Sequence, residues 1–200
     1  MPSTLTLDRR RPGALVAAIA PPLLACLSGV AGAQAPEPSR TYLKLIDPLD
    51  RPDDGYCVDV LGSGNAIRFD MPLTAHNCKP GYYADEGVAR GEGNTLVFPA
   101  YGACVTAMGV NRTALPGASL MLKPCLERSA FLEGEAMQRF EISDDGEVSL
   151  VGSGLCLQVG DVSAPTFDPS HRWRTLALAR CESADPDRSR WAFEARGRGS

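Results

Sequence analysis

Histidine is scarce in this chain: His76 and His171 are the only two among 200 residues. No two of the seven cysteines have just two residues between them, so the close Cys-x-x-Cys pairs that build structural zinc sites are absent and no metal site is expected. Positive charge is also in short supply. Twenty Lys and Arg face 24 Asp and Glu, a formal net charge of −4, which is the wrong sign for a phosphate-binding face and argues against nucleic acid. No stretch sustains helical periodicity over several turns, which argues against a helical bundle. A nucleophile beside a base occurs only at Ser170-His171, in a Pro- and Asp-rich loop without the glycines of a nucleophile elbow. Asp53-Asp54 and Asp144-Asp145 read as solvated turn residues. No enzyme activity and no cofactor are expected.

What is present begins with a leader. Arg9, Arg10 and Arg11 precede an apolar run from Ala14 to Val30, and Ala31-Gly32-Ala33 supplies the small-x-small pattern of a signal-peptidase site. Residues 1–33 therefore read as a bacterial-style secretory signal. Pro21 and Pro22 interrupt the run, which is barely long enough to span a bilayer, so no transmembrane segment is expected in the mature chain. Leu23-Leu24-Ala25-Cys26 also resembles a lipobox, with Leu24 uncommon at its place; its use would anchor the chain on an outer surface through acylated Cys26. Removing residues 1–33 takes away three arginines and Asp8, leaving 17 basic and 23 acidic residues and a net charge of −6. Residues 34–40, with Pro36 and Pro38, read as a disordered lead-in, and 196–200 as a flexible tail.

The remaining six cysteines are an even number in an exported, secreted or periplasmic chain, where disulfides are the default. Each of three pairs opens with the same phrase: Gly55-Tyr56-Cys57-Val58-Asp59, Gly102-Ala103-Cys104-Val105-Thr106 and Gly154-Leu155-Cys156-Leu157-Gln158. Closing cysteines follow at Cys78, Cys125 and Cys181, after 21, 21 and 25 residues. This is a threefold internal repeat with a period near fifty residues, and each copy is too small to bury its own apolar face. Six cysteines allow fifteen connectivities, and the repeat favours Cys57 with Cys78, Cys104 with Cys125, and Cys156 with Cys181. Loops of this size contribute about 3 kcal/mol each in the chain-entropy model.

Short apolar or alternating runs recur from residue 41 to 195, divided by Gly, Pro, Asp and Asn. They include Tyr42 to Ile46, Cys57 to Val60, Ala66 to Phe69, Cys104 to Met108, Leu155 to Val159 and Thr175 to Leu178. The class is all-β, with about four strands per repeat in one domain over 41–195.

Twelve short strands in three copies with a Gly-x-Cys opening resemble the β-trefoil of the ricin B-type lectin family. That family runs from G-x-C-L-D-V through V-Q-L-W-P-C to Q-x-W in each copy. Here repeat two offers Leu120-Met121-Leu122-Lys123-Pro124-Cys125 and Gln138-Arg139-Phe140; repeat three offers Leu176-Ala177-Leu178-Ala179-Arg180-Cys181 and Ser189-Arg190-Trp191. Repeat one offers Cys57-Val58-Asp59-Val60 and Thr74-Ala75-His76-Asn77-Cys78, with Val88 where the last aromatic should stand. The resemblance implies a pseudo-threefold core into which Phe140 and Trp191 point, and a capacity to bind carbohydrate.

Sugar recognition in that family uses the acid of C-L-D, the glutamine and aromatic of Q-L-W-P-C, and a polar pair near Q-x-W. An ordered carboxylate takes two hydroxyls at once while a ring covers the apolar side of a pyranose. Repeat one keeps Asp59, with Thr74 in the glutamine position, His76 in the aromatic position, and Asn77 beside it; Tyr82 or Tyr83 would supply the missing ring. Repeat two has Thr106, Met121 and Lys123 in these positions, and repeat three has Gln158, Ala177 and Ala179, so two of the three sites read as lost. The expected function is a secreted glycan-binding module with its site at Asp59, Thr74, His76 and Asn77. The alternative is a non-catalytic trefoil that binds another protein, as a surface lipoprotein or the binding subunit of a toxin.

Overall fold

The computed structural model describes residues 40–196. The leader at 1–33 with Cys26, the lead-in up to residue 39, and the tail from 197 onward lie outside the described residues.

The first repeat holds β1 (Thr41–Leu45), β2 (Tyr56–Asp59), β3 (Thr74–Asn77) and β4 (Ala89–Arg90). Next come β5 (Leu96–Phe98), β6 (Ala103–Ala107), β7 (Gly109–Val110), β8 (Thr113–Ala114), β9 (Leu120–Pro124) and β10 (Phe140–Ile142). The last stretch holds β11 (Val148–Leu150), β12 (Leu155–Val159), β13 (Ala164–Pro165), β14 (Arg172–Arg180) and β15 (Trp191–Ala195). Among the described residues helix is confined to single turns such as α1 (Gly134–Met137) and α2 (Pro186–Ser189). The all-β expectation is met. One sheet runs β10-β11-β12-β14-β3-β2-β1-β15, with β13 on the edge of β14, and a second runs β4-β5-β6-β9. First and last strands pair antiparallel from Thr41 with Ala195 to Leu45 with Trp191, so the chain closes on itself.

One local pattern recurs three times. β2 pairs β3, β6 pairs β9 and β12 pairs β14, all antiparallel, with Cys57 opposite His76, Cys104 opposite Lys123 and Cys156 opposite Ala179. The bridges are Cys57–Cys78, Cys104–Cys125 and Cys156–Cys181, with Cα atoms 5.1, 4.9 and 5.0 Å apart. These are the pairings the repeat favoured. Gly55, Gly102 and Gly154 carry φ of 66°, 58° and 69°, a left-handed turn that only glycine enters without strain.

Apolar side chains from all three repeats meet in one main core. Val58, Leu96, Val105, Leu122, Phe140, Leu157, Leu178 and Trp191 are buried together, and so is Val88. Burial of Phe140 and Trp191 agrees with their reading as core residues rather than ligand platforms. The Trp191 indole donates to the Leu157 carbonyl at 3.1 Å, which satisfies its one polar atom.

Two segments depart from the sequence reading. Ala66 to Phe69 forms no strand: a single turn at Gly64–Ala66 leads into a loop where Arg68 grips Asp70 and Phe69 is exposed. The polar tract Thr74–Asn77 is instead a strand. Its Ala75 and Asn77 face inward while Thr74 and His76 are half-buried, so it alternates even though its residues are mostly polar.

Candidate functional site

β3 is the hinge of the candidate site, because it pairs with β2 of its own repeat on one side and with the long β14 of the third repeat on the other. Directly opposed residues share a face. Asp59, Thr74 and Thr175 therefore form one row, and Cys57, His76 and Trp173 the next.

The four residues singled out from sequence are near neighbours in different states. Asp59 is 5% exposed, and its Oδ2 accepts from Lys79 Nζ at 2.9 Å. Thr74 is half-buried opposite it. His76 Nδ1 lies 2.9 Å from the Asn77 carbonyl; a carbonyl only accepts, so this nitrogen carries the proton. Asn77 is a staple between chain segments: its amide donates to Asp54 at 2.9 Å and its oxygen accepts from the Arg172 backbone at 2.8 Å.

Asp59 belongs to a buried charged cluster that sequence reasoning left unseen. Lys79 Nζ also reaches Asp85 at 2.6 Å and Glu86 Oε1 at 3.6 Å, and Glu86 Oε2 accepts from the Lys79 backbone at 3.0 Å. Three carboxylates thus surround one ammonium. Glu86 Oε1 is buried without a hydrogen-bond partner, 3.8 Å from His76 Nδ1. Burial holds the Asp59 carboxyl well above its usual range: Lys79 pulls it down by its charge and its hydrogen bond, Glu86 and Asp85 push it up, and burial decides the direction. Burial opposes the Lys79 charge, but Asp59, Glu86 and Asp85 outweigh it and raise Lys79 above an ordinary lysine. Asp59, His76 and Glu86 are close enough together to hold a metal ion. The ammonium already sits among those carboxylates and His76 Nδ1 carries a proton, so the donor set does not fit one.

The signal for this cluster was in the spacing. Glu86 stands two residues before Val88, where Gln138 stands before Phe140 and Ser189 before Trp191. Repeat two shows what the position does: the buried Gln138 donates to Thr106 Oγ1 at 2.8 Å and to the Pro124 carbonyl at 3.0 Å, and accepts from Leu126 N at 2.6 Å. In repeat three Gln158 accepts from Asp185 N at 2.9 Å, and Ser189 donates to the Asp185 carbonyl at 2.7 Å. In all three repeats, polar side chains at these places tie the hairpin to the segment that follows it.

Above the cluster lies an open cleft of about 570 Å3 whose lining includes Arg51, Asp53, Asp54, Asn77, Ser170 and His171. Asp50, next in the chain to Arg51, ties the loop to the third repeat: its Oδ1 accepts from Tyr56 at 2.8 Å and from the buried Arg174 at 2.7 Å while Oδ2 accepts from Ser163 at 2.5 Å. Partial burial works against the Asp50 charge, but the bonds from Arg174, Ser163 and Tyr56 prevail and hold its carboxyl well below the usual range. Of the two tyrosines, Tyr83 has its ring centroid 5.6 Å from Lys79 Nζ, at the edge of the Asp59 cluster. Tyr82 packs against Tyr42, and the Tyr83 backbone donates to the Tyr42 hydroxyl at 2.6 Å; burial pushes that hydroxyl up to about 12. Ser170 donates to Asp168 at 2.7 Å rather than to His171, so the adjacent pair is not arranged as nucleophile and base.

No family model matches the sequence, and no curated protein matches it. Solved structures do share the fold. One, described as the mdaA-1 domain in solution, is 16% identical over 76% of this chain and 87% of its own, with a TM-score of 0.51. Another, an agglutinin from Abrus precatorius, is 22% identical over 76% of this chain, with a TM-score of 0.54. The match covers 47% of the agglutinin, so this chain spans about half its length. At such identities the likeness is one of fold, and that fold is ricin B-type lectin-like.

Proposed function

We propose that the chain is a non-catalytic carbohydrate-binding module, exported by a bacterium, built as a β-trefoil of three repeats with its sugar site at repeat one. The observation that carries this reading is the fold shared with an agglutinin. The threefold recurrence of cysteine register and bridge supports the trefoil assignment, and three disulfides support export to an oxidising compartment. Repeat one is favoured because its surface opens into the cleft beside Asn77. Within that site Thr74 and His76 are the half-buried members on one face of β3, with His171 resting against His76. Burial of Asp59 against Lys79 supports a positioning role for this carboxylate, beneath the surface, with Asn77 bracing the neighbouring loops.

A glycan array probed with the oxidised protein tests the proposal. Selective binding to one glycan group is expected. An array without binding, together with capture of a specific protein from the native secretome, would contradict it and leave the protein-interaction reading.

A further inference from the structure

Phe167 is 93% exposed, the wettest large apolar side chain among the described residues, yet it is not loosely held. Its loop is tied by Thr166 N to the His171 carbonyl at 2.8 Å, His171 N to the Asp168 carbonyl at 3.0 Å, and Ser170 N to Asp168 Oδ1 at 2.8 Å. The phenyl ring stacks on His171 with centroids 5.5 Å apart at 29°. His171 in turn rests against His76 at 5.5 Å. A column of three rings therefore starts on β3 of the first repeat and ends in an open aromatic face supplied by the third.

The cleft beside this column has its cations already matched. Arg51 is held by Asp54, Lys44 and Arg196 by Glu194, and Lys79 by Asp59 and Asp85. Asp53 also lines the cleft. It is exposed, and among the described residues it forms no ion pair. The chemistry left over is an acceptor carboxylate and an apolar ring face, which together suit a ligand that donates from adjacent hydroxyls and is apolar on one side. An anionic ligand would instead have to displace an existing carboxylate from its partner.

We propose that Phe167, carried on His171, is the stacking platform for a neutral pyranose whose vicinal hydroxyls are accepted by Asp53. This rests on the carbohydrate-binding reading above and deepens it: the site is composite, drawing its ring from repeat three and its carboxylate from the β1–β2 loop. A rigid exposed ring loses little freedom on binding, which is what makes a preordered loop effective.

The test is calorimetric titration of the oxidised protein with neutral oligosaccharides of glucose, galactose, mannose and xylose, alongside a sialylated and a uronic-acid oligosaccharide. A neutral probe should bind, Phe167→Ala should weaken it roughly tenfold, Phe167→Tyr should retain it, and Asp53→Asn should weaken it several-fold. Melting of Phe167→Ala should match the parent, because the side chain it removes is almost wholly exposed. Neutral binding untouched by both substitutions would overturn the composite site and leave the carbohydrate reading standing. Binding of the anionic probes alone would overturn the neutral-ligand claim, and binding of none would remove the carbohydrate reading and this proposal with it.

Discussion

Repeats one and two solve the same problem with opposite electrostatics. At the buried position two residues before Val88 or Phe140, repeat two places Gln138, whose amide donates twice and accepts once. Repeat one places Glu86, which faces two further carboxylates, one ammonium, and an oxygen of its own that has no hydrogen-bond partner. A neutral amide meets every bond without charge; the charged version depends entirely on Lys79. The comparison teaches that the Asp59 region is held together more precariously than its counterpart, and that Asp59 serves the interior of repeat one as much as its surface.

The largest effect that would break this comparison is expected from Lys79→Met. Stripping the only ammonium from three buried carboxylates should cost about 3–5 kcal/mol in chemical denaturation, and a loss below about 1 kcal/mol would show that the carboxylates are neutralised in another way. Next comes Gln138→Glu, which installs repeat one's charge in repeat two without its lysine. It should cost about 2–4 kcal/mol.

Asp50→Ala should cost about 1–2 kcal/mol after allowing for solvent at this half-exposed residue, because buried Arg174 keeps only its bond to the Gly160 carbonyl. The smallest effect sharpens the comparison most: Glu86→Gln, the reciprocal swap, should leave stability within about 1 kcal/mol of the parent, on the stable side. A large loss there would mean that the negative charge of Glu86 is itself required.

Acidity separates the two ends of the site as well. Asp59, with its folded-state pKa raised above 3.8, contributes stability that is fully present below that value and is lost as pH rises through the raised one. Asp50, with its folded-state pKa lowered, contributes above its ordinary value and loses that contribution as pH falls. In melting curves recorded against pH, Asp59→Asn should remove part of the decline above about pH 4, and Asp50→Ala should remove part of the decline in acid. Identical profiles for both variants would contradict the two environments.

The disulfides and the strand class were legible because both follow from local pattern: a repeated Gly-x-Cys phrase and short runs between turn residues. The register that puts Cys57 opposite His76 also puts Trp173 there from the far end of the chain, and no local pattern carries that. β14 begins at Arg172 rather than at Thr175, since Arg172 and Arg174 look like surface residues in sequence yet are drawn in by Ser163, Asn77 and Asp50. Lys79 was legible only as part of a polar tract. Its partners Asp85 and Glu86 lie six and seven residues on, in a loop with no periodicity to say which way they face.

Backbone amide shift mapping by NMR, with a glycan selected on the array, tests the account most directly. Perturbations concentrated at 51–54, 76–80 and 166–171, with none around Thr106, Met121 and Gln138, are the predicted result. Shifts centred on the repeat-two positions, or spread without focus over the surface, would contradict it.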